Sequence, residues 1–427
     1  MNDNNVISVL ANEQNIPKFY KVHQHFDPTH IKIEDITSLV FSELNRCKIN
    51  EKIVKGMTVA ITCGSRGIAN IKEITKAVGD YFIHLGARPF VTATMGSHGG
   101  ARADGQLEIL TSYGIHEQYL GFPVKSSMET KQIGYTKTSL PVHMDRNALE
   151  ADAIFVVGRI KAHTAFEGPY ESGIMKMITI GLGKQKGAET VHEFGFGTAA
   201  QMIPEFARVA LEKTNIIGAL GIIENAFDQI LDLVAMKKEE IVTIEPQLLK
   251  RAKSAMGRIY ISHADVLIVD QIGKNFSGDG MDPNIAGNFA TPYKKGGLQK
   301  QVIAVLSLSP ETHGNFNGIG LADITTRRAF NQMNFENTYP NAITSTVLNV
   351  VKIPMVLAND KIAIQIAIRS CNNIDKKNPK IIRIKNTRDI EEIEVSEGLI
   401  DEVRLIKELD IIEGPKSLKF DKDGNLF

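Results

Sequence analysis

Three β-branched runs in the first half of the chain each break at glycine into basic side chains: "TVAITCGSRG", "PFVTATMGSHGG" and "AIFVVGRIKAH". Segments with helical spacing lie between them, "IKEITKAVGDYFIHLGA" after the first run and "DGQLEILTSYGI" after the second. A short apolar run bounded by glycine reads as a buried strand. Strands that alternate with helices leave few architectures open: a mainly parallel sheet with right-handed crossovers. A helix at "AAQMIPEFARVALEKT" and a strand at "IIGALGIIEN" continue the alternation. In such sheets ligands bind beyond the carboxyl ends of the strands. If the three runs lie close together, Arg66, His98, Arg159, Lys161 and His163 share one crevice.

A chain of 427 residues is too long for one ordinary core, since domains run to roughly 150 residues. The polar helix "EPQLLKRAKSAMGR" marks the expected boundary, near residue 255. The reading is α/β with two domains, each a mainly parallel sheet flanked by helices, and an active site in the cleft between them. Residues 1–255 form the first and residues 256–427 an α/β domain that closes the cleft, its last residues packing back on the first. Strands are expected in the second domain at "ADVLIVDQIG", "QVIAVLSLS", "IAIQIAIRSC" and "KIIRIKN".

Charge and composition remove several classes of function. Forty-nine basic residues balance 49 acidic ones, so no net field holds a polyanion and nucleic acid is not an expected partner. No apolar run approaches the roughly 20 residues that cross a bilayer, so no membrane association is expected. The start "MNDNNVISVLANEQ" lacks the basic opening and apolar core of a secretion signal, and the expected compartment is the cytoplasm. Three widely spaced cysteines, with no C-x-x-C pair, argue against a disulfide framework and against a cysteine zinc site.

The glycine-rich stretches fail as nucleotide motifs. "GLGKQ" has Gln185 where a phosphate loop needs Ser or Thr, and "GFGTAA" matches G-x-G-x-x-A without a buried strand before it. "SGDGMDPN" reads as turn chemistry and His23 and His25 as surface histidines. Neither H-E-x-x-H nor G-x-S-x-G occurs. What stands out is "SGIMKMITIGLGK", where Lys176 lies among Ile174, Met175, Met177, Ile178 and Ile180. An ammonium there costs several kcal/mol to desolvate unless it is paired, neutralised or snorkels to water. His163 precedes it and His192 follows it.

The stretches "GSRG", "MGSHGGA" and "GRIKAHTAFEGPYESGIMKMITIGLGKQKGAETVH" resemble the lactate racemase superfamily, whose members use a nickel-pincer nucleotide. The resemblance implies a cofactor joined to Lys176 through a thioamide, nickel bound by the cofactor and His192, His98 and His163 as acid and base on opposite faces of the substrate, and Arg66 on its carboxylate. A thioamide is neutral, which answers the problem of Lys176 in its apolar run. The activity implied is inversion of C2 in a 2-hydroxy acid by reversible hydride transfer, with the enzymes that make the cofactor as partners. Lys274 and His313 are second-domain candidates for cofactor binding, from loop position. Cys63 stands where lactate racemases carry an aspartate, and the chain has no tryptophan for their aromatic wall. A larger or more polar substrate than lactate is therefore expected, malate or an aldonic acid. The competing readings are a nicotinamide-dependent 2-hydroxy acid dehydrogenase and a non-catalytic binding protein of the same fold.

Overall fold

The computed structural model describes residues 6–65 and 67–427. It divides into two compact units, one spanning Asp27–Met256 and the other made of the chain up to Phe26 together with Gly257–Phe427. Both are α/β. The first strand, β1 (Phe19–Gln24), belongs to the second of these units.

The Asp27–Met256 unit contains β2 (Thr58–Cys63), β3 (Arg88–Ala93), β4 (Val124–Lys125), β5 (Thr130–Tyr135), β6 (Pro141–Asp145), β7 (Ala153–Arg159), β8 (Ile216–Glu224) and β9 (Ile230–Lys237). Its main sheet runs β4-β3-β2-β7-β8-β9, parallel except for the last strand, while β5 and β6 pair as a separate antiparallel hairpin. Successive side chains of the central strands enter opposite cores. Val59, Ile61, Phe155 and Val157 pack with helices Ile36–Arg46 and Ile71–His84. Ala60, Ile154 and Val156 pack with helices Phe196–Lys213 and Ile241–Ala255. Burial on both faces is why these strands read as continuous apolar runs.

The other unit carries β10 (Val266–Ile272), β11 (Val302–Leu308), β12 (Ile324–Thr326), β13 (Met355–Leu357), β14 (Ile381–Ile384), β15 (Glu392–Ser396) and β16 (Leu409–Lys416). Its sheet runs β13-β12-β11-β10-β14-β15-β1-β16, with the first five strands parallel and the last three antiparallel.

Three expectations are corrected here. Residues 1–255 do not form one unit, because β1 is hydrogen-bonded between β15 and β16 and buries Phe19 and Val22 in the other unit's cores. The last residues pack on their own unit, where Leu418, Phe420 and Leu426 cover a core built from Val266, Ala304 and Ile364. "IAIQIAIRSC" is not a strand but most of helix Asp360–Ser370, capped by Asn359, whose side chain accepts the N–H of Ile362 at 3.0 Å. Its alternation misleads because Gln365 is buried along with the isoleucines, so no face of the segment from Ala363 to Ile368 is polar and the period carries no signal.

Candidate active site

In the main sheet of the Asp27–Met256 unit, β3, β2 and β7 are adjacent, so the loops leaving their carboxyl ends share one edge. The β2 loop carries Ser65, the β3 loop His98 and the β7 loop His163. Arg66 lies outside the described residues. Arg159, at the end of β7, ties the edge together, since its Nη1 donates to the Gly67 carbonyl at 3.1 Å and pairs with Glu224 at 2.5 Å.

Lys176 ends the helical turn Ile174–Lys176, and the chain then widens into one π turn, Met177–Gly181, in which the Leu182 N–H donates to the Met177 carbonyl at 2.9 Å. Such turns recur at functional sites. Gly181 makes this one possible, because a Cβ there would stand 2.6 Å from Thr94 Cγ2. The turn is fastened at its start by Glu245, whose Oε2 accepts the Met175 N–H at 2.9 Å. Glu245 is buried, and burial pushes its carboxyl up to about 8 against the hydrogen bonds from Met175 and Ile174.

The Lys176 Nζ lies 2.7 Å from His163 Nε2. His163 is itself fixed on its other side: its Nδ1 accepts the Ala165 N–H at 3.0 Å, and its own backbone N–H donates to Glu171 at 2.7 Å. Buried Glu171 pairs with Lys253 at 2.5 Å. The imidazole packs on Phe166 at 4.3 Å and on Phe196 at 5.8 Å between centroids, and Phe196 packs on His192 at 5.6 Å. His163 and His192 therefore share the Phe196 ring, and Lys176 joins them through its contact with His163. Burial first, and the Lys176 charge second, bring His192 down to about 4, so its imidazole is neutral at ordinary pH. That is the form that binds a metal.

His98 is exposed, and its Nδ1 is hydrogen-bonded to the Ser65 hydroxyl. Its carbonyl accepts from Gln106 Nε2 at 3.2 Å, and the same amide nitrogen donates to the Gly96 carbonyl at 3.1 Å. The loop packs toward the lysine segment, since a Cβ on Gly96 would meet Ile180 Cγ2 at 3.2 Å. Beneath it lies Lys184, fully buried and paired with fully buried Asp145 at 2.9 Å. Its Nζ also donates to the Ala93 carbonyl and, at 3.3 Å, to Gln106.

Lys274 and His313 belong to the other unit, where their loops follow β10 and β11. The loops meet: the Lys274 N–H donates to Thr312 Oγ1 at 3.1 Å, while His313 is exposed and its carbonyl accepts from Asn337 at 3.1 Å.

Ser65, Phe166, Phe196, Lys184, Asp145 and Glu245 were not singled out by sequence reasoning. Several of them stand inside stretches that the sequence offers for other residues: Ser65 in "GSRG", Lys184 in "GLGKQ" and Phe196 in "GFGTAA". In the structure the last of these joins helix Lys184–Glu193 to helix Phe196–Lys213, not a strand to a helix as a dinucleotide turn requires.

Among the described residues no group of three or more His, Cys, Asp or Glu could hold a metal, and no helix is long and apolar enough to cross a membrane. No protein-family model matches the chain, and no curated protein matches it in sequence. Among solved structures it is similar to a protein from Thermotoga maritima, at 13% identity and a TM-score of 0.49, over 77% of this chain and 84% of that one. It is also similar to the lactate racemase apoprotein from Thermoanaerobacterium thermosaccharolyticum, at 13% identity and a TM-score of 0.47, over 86% of this chain and 99% of that one.

Proposed function

We propose that this chain is a 2-hydroxy acid racemase or epimerase that works with a nickel-pincer nucleotide held on Lys176. The observation that carries the reading is the contact of Lys176 Nζ with His163 Nε2 at 2.7 Å, beside the phenylalanine ring that also packs on His192. The residues fit the group. It asks the protein for one lysine amine and one neutral nitrogen for nickel, and Lys176 and His192 supply these against an apolar, aromatic wall. When bound, the cofactor supplies a hydride acceptor for the C2 hydrogen.

The chain's own residues handle protons and orientation. His98 and His163 exchange the C2 hydroxyl proton, a task suited to imidazole because its unperturbed pKa is about 6.5. Arg66 holds the carboxylate, where a planar guanidinium makes two parallel charge-assisted bonds. Phe166 and Phe196 exclude water. The substrate in this reading is malate or a sugar acid rather than lactate.

The test is expression together with the cofactor-making enzymes, followed by intact mass, nickel analysis and assays of enantiomer interconversion. A mass increase on Lys176, about one nickel per chain, and faster inversion of malate or an aldonate than of lactate are expected. His192→Ala should lose nickel, whereas His98→Ala should keep nickel and lose turnover. Unmodified Lys176 with no nickel under these conditions overturns the reading, and lactate as the fastest substrate overturns the substrate assignment.

A further inference from the structure

We propose that, in the cofactor-free chain, Lys176 stands as a neutral amine that accepts a hydrogen bond from His163, so that its nitrogen is ready to bond to an acyl or thioacyl carbon. The inference rests on the racemase reading, in which Lys176 is the anchor, and concerns how that anchor is prepared.

Two contacts on one ring decide the direction of the bond. The Ala165 N–H donates to His163 Nδ1 at 3.0 Å, and a backbone N–H can only donate. Nδ1 therefore presents a lone pair, and an imidazole with a lone pair on one nitrogen carries its proton on the other. That proton is on Nε2, which lies 2.7 Å from Lys176 Nζ. An ammonium has three donors and no acceptor, so against Nε2–H it would set donor against donor. Nζ is therefore the amine, and it accepts. Were Lys176 charged, the proton of His163 would have to sit on Nδ1 and face the Ala165 N–H instead.

The surroundings keep this arrangement. The backbone N–H of His163 is held by Glu171 at 2.7 Å, and the ring packs on Phe166 at 4.3 Å between centroids. His163 is only 9% exposed, and Ile174, Met175 and Ile178 beside the lysine are buried, so charge on either partner is poorly solvated. On the elements packed around this turn, Glu171 is paired with Lys253, Arg159 with Glu224 and Lys184 with Asp145, while Glu245 accepts the Met175 N–H. Near pH 4, where His192 titrates, the amine is protonated, and that is the charge which bears on His192.

An ammonium must lose a proton before its nitrogen can bond to carbon. The amine need not: its lone pair forms the N–C bond, the group leaving the carbon departs with the electron pair of its own bond, and one amine proton passes to water. In the resulting amide or thioamide the nitrogen lone pair is delocalised and accepts poorly. His163 Nε2–H is then released to the substrate hydroxyl, so the ring serves the anchor first and the substrate afterwards.

The test labels the cofactor-free protein briefly with acetic anhydride between pH 7 and pH 9 and reads each lysine by peptide mass. An exposed lysine should label roughly 100-fold faster at the top of this range, because its neutral fraction grows about tenfold per pH unit below its ordinary value. Lys176 should change less than about 3-fold, since a group already neutral gains nothing from the rise. Comparing each lysine with itself removes differences in access. His163→Phe, which removes the donor, should give Lys176 the steep dependence. Nitrogen NMR of the histidine-labelled protein above the ring's titration, with His163 assigned through His163→Gln, should show the Nε2–H form. A Lys176 rate that climbs with the exposed lysines, a flat rate that survives in His163→Phe, or a wild-type Nδ1–H ring overturns the proposal, and the labelling of the wild type needs no variant to fold. A flat rate at Lys176 with no cofactor gained after expression beside the cofactor-making enzymes upholds the amine and overturns the racemase reading instead.

Discussion

Lys176 was conspicuous in the sequence because a lone charge in an apolar run needs an explanation. Glu245, which holds its turn, was silent there because the two stand on segments about 70 residues apart and only the fold joins them. A buried carboxyl with one oxygen bonded to Met175 and the other without a hydrogen-bond partner has a measurable signature. Its folded value of about 8 lies above the ordinary glutamate value of 4.5. A raised carboxyl contributes stability fully below the unfolded value and loses it as pH rises through the folded one. The chain should therefore lose stability at this site between about pH 4.5 and 8, by a few kcal/mol at most on the order-of-magnitude scale of about 1.4 kcal/mol per unit. Glu245→Gln keeps the acceptor for Met175 and removes the ionisation. Denaturation of both proteins at pH 5, 7 and 9 should give curves that converge at low pH and separate in favour of the glutamine at high pH. Parallel curves would show that Glu245 does not ionise in the folded chain across this range.

Elements were legible where one pattern dominated. The runs that became β2, β3 and β7 are apolar and end in glycine, and burial on both faces makes such runs unmistakable. Helix Asp360–Ser370 was misread for the same reason, since uniform burial also erases the helical period. The contact that joins elements, Lys184 to Asp145, has no sequence signal: "GLGK" only half matches a phosphate loop, and Asp145 ends a hairpin strand. Lys184 fastens the first turn of the helix carrying His192 to the end of β3 and to Gln106 under the His98 loop. Removing one partner of a buried pair strands the other charge and costs about 3–5 kcal/mol, whereas replacing both is close to neutral. Lys184→Met should destabilise the chain by that amount in urea titrations, and Lys184→Met with Asp145→Asn should recover most of it. Equal losses in the single and double variants would mean that the side chains do not act as a pair.

At the scale of the molecule, each unit owns its cores. Among the described residues, the clusters around β2 and β7 draw on Asp27–Met256, and those around β10 and β11 draw on the chain up to Phe26 and on Gly257–Phe427. The boundary after the polar helix could be expected from composition, but β1 could not be placed, because a short strand near a terminus carries no sign of which sheet it will enter. Its position decides how the chain can be cut. A fragment of residues 27–256 keeps its whole sheet and should unfold in one cooperative transition, with Lys176, His163 and His192 still in place. A fragment of residues 257–427 loses the strand between β15 and β16, so both are left with open edges. It also loses Phe19 and Val22, each worth roughly 1.5–3 kcal/mol when fully buried. Against the 5–15 kcal/mol that holds a typical domain, that loss together with the ladder bonds is large. The fragment should melt without a sharp transition or associate through its open edges, and residues 1–26 joined after Phe427 by a flexible linker should restore a cooperative melt and a monomeric light-scattering mass. A monomeric, cooperatively folded 257–427 fragment would show instead that the sheet closes without β1.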